Sequence, residues 1–115
     1  MSYEIEELED KILEVSKSVG VNVEFVKDRL EKMKKYKRKI VGLWSSPGWL
    51  WIATEQDTKF TLAGWVFSPY VPEGEYGSWY IWQTEMMKEE VPPKLRWIPK
   101  KEEIERMRKM IEEIM

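Results

Sequence analysis

Seven tryptophans, Trp44, Trp49, Trp51, Trp65, Trp79, Trp82 and Trp97, crowd into positions 44–97 of a 115-residue chain. A core of this size rarely needs so many large rings. Every nucleobase has a π-face, so surface aromatics stack on a single strand whatever its sequence, at roughly 1–3 kcal/mol per base. Just upstream lies Lys32–Lys39, with six bases in eight residues and no acid. Cations beside stacking rings would hold backbone phosphates. Together the two features point to single-stranded nucleic acid. The plainer alternative is that the rings fill a core and a subunit interface, and that the basic run is a solvated helix end.

What is missing narrows the chemistry further. The chain has no cysteine and no histidine, so disulfides, thiolate metal sites, the commonest general base and the commonest transition-metal ligand are all excluded. Carboxylates alone could cleave glycosides or hold Mg²⁺, but no paired acidic motif occurs, and Asp10, Asp28 and Asp57 lie in different settings. A non-enzymatic protein without cofactor is expected. No apolar run is long enough to span a bilayer. The acidic start, Met1 to Glu7, fits neither a signal nor a transit peptide, so the expected location is the cytoplasm. Charged residues make up 35% of the chain and are mostly Glu and Lys, with one Asn and two Gln. That balance is typical of hyperthermophile proteins. Net charge is only -2, yet residues 1–26 carry seven acids against two bases, and residues 27–39 carry eight bases against Asp28 and Glu31. The domain therefore has a directed field.

The elements that must position these residues read as helix, helix, strands, helix. Ile5, Leu8, Ile12, Val15 and Val19 recur at helical spacing, with Ser2 placed to cap the start and Gly20 the end. Asn22 is placed to cap a second helix with Val23, Val26, Leu30 and Met33 as its buried stripe. Its basic end suits the helix dipole. From Ile40 the period becomes two. Expected strands are 40–44, 49–54, 59–67, 78–84 and 94–98, with a loop over 68–77 and a break at Pro92-Pro93. Pro99 precedes a helix over 100–115, with Ile104, Met107, Ile111 and Ile114 at heptad a and d positions. The expected fold is α+β: N-terminal helices and a C-terminal helix packed on a four- or five-stranded, mostly antiparallel sheet, not an OB-fold. Residues 1–99 form the nucleic-acid-binding domain and 100–115 an oligomerisation helix.

Alternation sorts the rings into faces. If Thr54 pairs with Lys59, then Trp49, Trp51, Phe60 and Leu62 share a face, and the helices are expected on it as the more apolar one. Leu50, Ile52, Thr54, Lys59, Thr61, Ala63, Trp65 and Phe67 share the other. A slip of one residue would exchange the two sets. The second face mixes rings with Thr and Lys, which suits a strand-binding surface. It selects Trp65, Tyr80, Trp82 and Trp44 for stacking, and Lys59, Lys94, Arg96, Arg38 and Lys39 for phosphate contacts.

Two other readings stay open. Residues 15–39 have the outline of a helix-turn-helix for duplex DNA, although Val23, Glu24 and Phe25 stand where base-reading polar residues belong. The Trp-rich face could instead meet another protein. A helical N-terminus, a Trp-rich antiparallel region from Trp44 to Trp97 and a zipper-like helix from Ile104 to Ile114 together resemble the ThermoDBP group of archaeal single-stranded DNA-binding proteins. The resemblance is one of architecture and covers most of the chain. It implies single-stranded DNA, or RNA, in a cleft of aromatic and basic residues. It also implies self-association, as a homodimer or dimer of dimers, through the C-terminal helix.

Overall fold

The computed structural model describes residues 1–114. Helix α1 spans Ile5–Val19 and α2 spans Val23–Lys35. Strands β1 (Gly42–Ser46), β2 (Trp49–Thr58), β3 (Thr61–Phe67) and β4 (Glu75–Tyr80) follow. A 3-10 helix over Ile81–Met86 leads to β5 (Lys88–Val91), and α3 spans Lys101–Ile114. The strands form one antiparallel sheet in the order β4-β3-β2-β1-β5. The architecture is α+β, as expected. Among the described residues, no helix is long and apolar enough to cross a membrane.

The helix signals largely hold. Ile5, Leu8, Ile12 and Val15 of α1 are buried against Val26, Leu30 and Met33 of α2. Full burial of such a side chain is worth about 1.5–3 kcal/mol. Gly20 ends α1 in the left-handed region at φ 81°, where a side chain would strain the backbone. Asn22 caps α2 by accepting from the Glu24 amide at 2.9 Å. Ser2 does not cap α1. Glu4 takes that position and its amide donates to the Glu7 carboxylate at 3.1 Å. The residues before it are extended, since Tyr3 pairs with Ile40 as an isolated bridge.

The sheet departs from expectation in register and in its last strand. Trp51 lies opposite Val66 and Ile52 opposite Trp65, with bulges between Ala53 and Thr58. Lys59 and Phe60 form the hairpin tip between the paired Thr58 and Thr61, so Thr54 is not the partner of Lys59. The helices cover the face of Leu43, Leu50, Ile52 and Phe67, which reverses the expected assignment. The opposite face is also apolar. Val41, Trp44, Ala53, Leu62 and Trp79 are buried there, with Trp51, Val66, Ile81, Met87 and Leu95 packed around them. Strand β4 lies at one edge and β5 at the other, so the 3-10 segment between them must cross the sheet. Ile81 and Met87, at its two ends, pack on this second core. Trp44 and Trp79 are buried in this core, with Trp51 packed against it.

Residues 94–98 are not a strand. Their backbone is held by a buried side chain: Gln56 accepts from the Arg96 amide at 2.8 Å and donates to the Trp97 carbonyl at 3.1 Å. The true last strand, β5, precedes Pro92-Pro93. Residues 81–84 belong to the 3-10 helix, and β4 begins at Glu75, inside the expected loop.

Candidate nucleic-acid interface

Helix α2 ends in a tight reversal. The Lys37 amide donates to the Lys34 carbonyl at 3.0 Å and the Arg38 amide to the Met33 carbonyl at 2.8 Å. This double closure satisfies carbonyls left over at a helix end. It places Lys37 at φ 55°, the only described residue other than glycine with a positive φ. A glycine would sit there without strain. A lysine instead keeps one more cation on a crowded basic turn. Among the described residues, Lys35, Lys37 and Arg38 form no ion pair. Lys34 faces α1 instead, 2.6 Å from Glu9 and 3.1 Å from Glu31. Its hydrogen bonds to those two carboxylates hold its pKa above the ordinary value.

Beside this turn, between α2 and the sheet, lies a groove of about 360 Å³ lined by Arg29, Lys32, Met33, Tyr36, Arg38, Thr54, Trp65 and Tyr76. That volume is at the small end of the range for ligand sites. The Arg29 guanidinium lies 4.5 Å from the centroid of the Trp65 ring, and its Nε donates to the Glu73 carbonyl at 3.2 Å. The Tyr76 ring meets Trp65 at 5.5 Å and 76°. Tyr36 is 70% exposed and Tyr76 46%. The groove thus combines three cations, of which Arg29 and Lys32 also face Asp28 at 3.9 and 3.2 Å, with three aromatic rings, the two tyrosines being the most exposed.

Comparison with protein-family models, curated proteins and solved structures gives no match.

The groove gathers two of the residues expected from sequence, Trp65 and Arg38. The others lie elsewhere. Trp44 is 5% exposed in the second core, and a Cβ on Gly42 would fall inside its ring, so it presents no face to a ligand. Tyr80 and Trp82 stack on each other at 4.4 Å and 4°, and the Arg108 guanidinium lies 5.5 Å from the Trp82 centroid. Tyr80 is four residues along β4 from Tyr76, about 13 Å away at strand rise. Lys59 pairs with Glu103 of α3, and Lys39 with Glu4 at 3.1 Å. The Lys94 ammonium rests 3.9 Å from the Tyr3 ring centroid. Arg96 lies over its neighbour Trp97 at 5.0 Å, outside the groove.

Sequence reasoning missed Arg29, Lys32, Tyr36 and Tyr76. Three of them carried a signal. Arg29 and Tyr36 flank Met33 at spacings of four and three, and Lys32 adjoins it, so all belong beside the buried stripe of α2. Tyr76 carried none, because its segment reads as a loop.

Helix α3 has no buried residue. It meets the rest of the chain through Lys59–Glu103, through Arg108 with Glu85 at 3.1 Å, and through Arg108 over Trp82. Ile104, Met107 and Ile111 are partly buried, and Ile114 is 83% exposed.

Proposed function

We propose that the chain binds single-stranded DNA, and RNA as the second candidate, in the groove between the basic end of α2 and the aromatic wall of the sheet. The observation that carries this reading is the lining of that one groove. Arg29, Lys32 and Arg38 stand there with Tyr36, Trp65 and Tyr76. Bases stack on Tyr36 and Tyr76, and the cations take the phosphates, with Lys35 and Lys37 extending the positive rim. A duplex keeps its bases stacked inside and offers these rings nothing to hold. The protein acts by binding, without catalysis and without a cofactor, and its place of action is the cytoplasm. The resemblance to the ThermoDBP group, with its thermophilic archaeal source, implies the same kind of ligand.

The exposed apolar stripe of α3 supports a second part of the proposal, that copies of the chain join through this helix. Ile114, 83% exposed, and Met110, 53% exposed, leave part of the helix's apolar surface uncovered within one chain. Joined subunits raise the effective concentration of the second groove once the first is filled.

The deciding experiment measures affinity for an oligo-dT and for a duplex of equal length at one salt concentration. Tighter binding of the single strand is expected. Equal or tighter duplex binding would overturn the reading and favour α1 and α2 as a helix-turn-helix.

A further inference from the structure

The two walls of the groove differ in chemistry. The helix wall offers cations, Arg29, Lys32 and Arg38, and the sheet wall offers Thr54 and Tyr76. The Thr54 hydroxyl donates to the Ala63 carbonyl at 3.2 Å and lies 3.0 Å from the Tyr76 hydroxyl. The Tyr76 hydroxyl donates in turn to a Glu55 carboxylate oxygen at 3.4 Å, a long contact that occupies only one of the carboxylate's lone pairs. Glu55 is exposed, and among the described residues it forms no ion pair. Beside Tyr76, though not itself among the lining residues, it leaves further acceptor sites open next to a groove that otherwise attracts anions. The other carboxylate nearby, Asp57, differs. Its two oxygens accept from Thr61 at 2.7 Å and from Ser78 at 2.9 Å.

A nucleotide that sets its phosphate against the helix wall turns its base toward the sheet wall. Resting on the reading that this groove holds a single strand, we infer that Glu55 is a specificity-determining residue that selects guanine at the position beside Tyr76. An unstacked base exposes its Watson–Crick edge. On guanine that edge carries a ring N–H beside an exocyclic amine, two parallel donors that match the two oxygens of a carboxylate. Thymine presents one N–H between two carbonyl oxygens, which a carboxylate repels. Binding elsewhere along the strand stays tolerant of sequence, because stacking and phosphate contacts do not discriminate.

The test uses three oligonucleotides of twelve residues: all thymidine, the same with one central deoxyguanosine, and the same with deoxyinosine, which lacks the exocyclic amine. Wild type is expected to bind the guanine strand about fivefold or more tightly than the thymidine strand, with inosine between. Glu55→Ala is expected to remove this preference while thymidine-strand affinity holds or rises, since a negative charge has left the rim. Glu55 is exposed, so the variant keeps its fold, which circular dichroism checks. Equal affinity of wild type for the three strands would overturn the inference. So would a preference that survives in Glu55→Ala. Tyr36→Ala separates the two levels. If it weakens binding of all three strands while no preference exists, the groove binds a strand without selecting a base. If it weakens none, the groove is not the binding site and the proposed function falls with the inference.

Discussion

The Arg29 guanidinium lies over the indole of Trp65, 4.5 Å from the ring centroid, and the Tyr76 ring closes on the same indole at 76°. Cation and ring hold one another, and the pair joins α2 to β3. Trp65 thereby becomes a wall of the groove, and stacking falls to the more exposed tyrosines. Trp65→Ala is expected to destabilise the fold by about 3 kcal/mol, the low end for loss of a large aromatic, because the ring is only part-buried. Chemical denaturation measures it.

Tyr36→Ala leaves stability nearly unchanged, since the side chain is 70% exposed. It is expected to weaken oligo-dT binding by roughly 1–3 kcal/mol with an unchanged salt slope. Fluorescence titration at several salt concentrations reads both quantities. Unaltered affinity would remove Tyr36 from the interface.

Lys37→Gly separates stability from binding. The left-handed conformation at φ 55° costs a non-glycine residue roughly 1–2 kcal/mol, and glycine carries no such strain. The variant is expected to unfold at higher denaturant yet bind DNA less tightly and with a shallower salt dependence. A variant that is less stable would mean that the lysine side chain makes a contact the fold depends on.

The double variant Lys35→Gln, Arg38→Gln is expected to flatten the log–log salt slope by about 1.4, two phosphates' worth on a single strand. Lys39→Gln has the smaller effect, because Glu4 at 3.1 Å already holds that ammonium. The reverse order would place the phosphates at the β1 end of the basic run.

Ile111→Glu puts a charge on the apolar stripe of α3, none of whose residues is fully buried within its own chain. The assembly is expected to dissociate while the domain stays folded. Light scattering decides it. A wild-type monomer at micromolar concentration, or an unchanged mass in the variant, would clear α3 of any joining role.

Acid stability tests Glu90, whose side chain is 4% exposed between Lys11 and Lys88, each 3.6 Å away. Burial acts to raise its pKa. The Ser45 hydroxyl bond at 2.7 Å and the two lysines outweigh burial and hold the pKa below the ordinary 4.5. A depressed folded-state pKa gives stability that is present above 4.5 and lost as pH falls through the folded value. Glu90→Gln is expected to lose less stability on acidification than wild type, read as denaturation midpoints at pH 7 and below pH 4.

What the chain determined locally is legible in it. Gly20 and Asn22 set the turn between α1 and α2 through their own backbone and side chain. The apolar period fixed which stripe of each helix is buried. The period of two placed β3, most of β1 and the first part of β2, whose continuation over 55–58 reads as a hairpin loop, and the heptad of α3 is visible without any partner. The basic end of α2 is likewise a property of consecutive residues.

What the tertiary structure alone decided is which ring meets which cation. Alternation grouped the faces correctly, with Leu50, Ile52, Trp65 and Phe67 on one side and Trp51 and Leu62 on the other. Both faces are apolar, so which one the helices cover was decided by packing and not by the pattern. Residues 94–98 looked like a strand, yet the Lys94 amide donates to the Val41 carbonyl and the Arg96 amide and Trp97 carbonyl bond to one side chain, Gln56, some forty positions away. Trp44 has the composition of a stacking residue, but it is buried in the second core. Tyr36 and Tyr76 come from a helix end and a segment that read as a loop. They line one groove only because α2 packs across the sheet there, and long-range packing of this kind leaves no local signature in the chain.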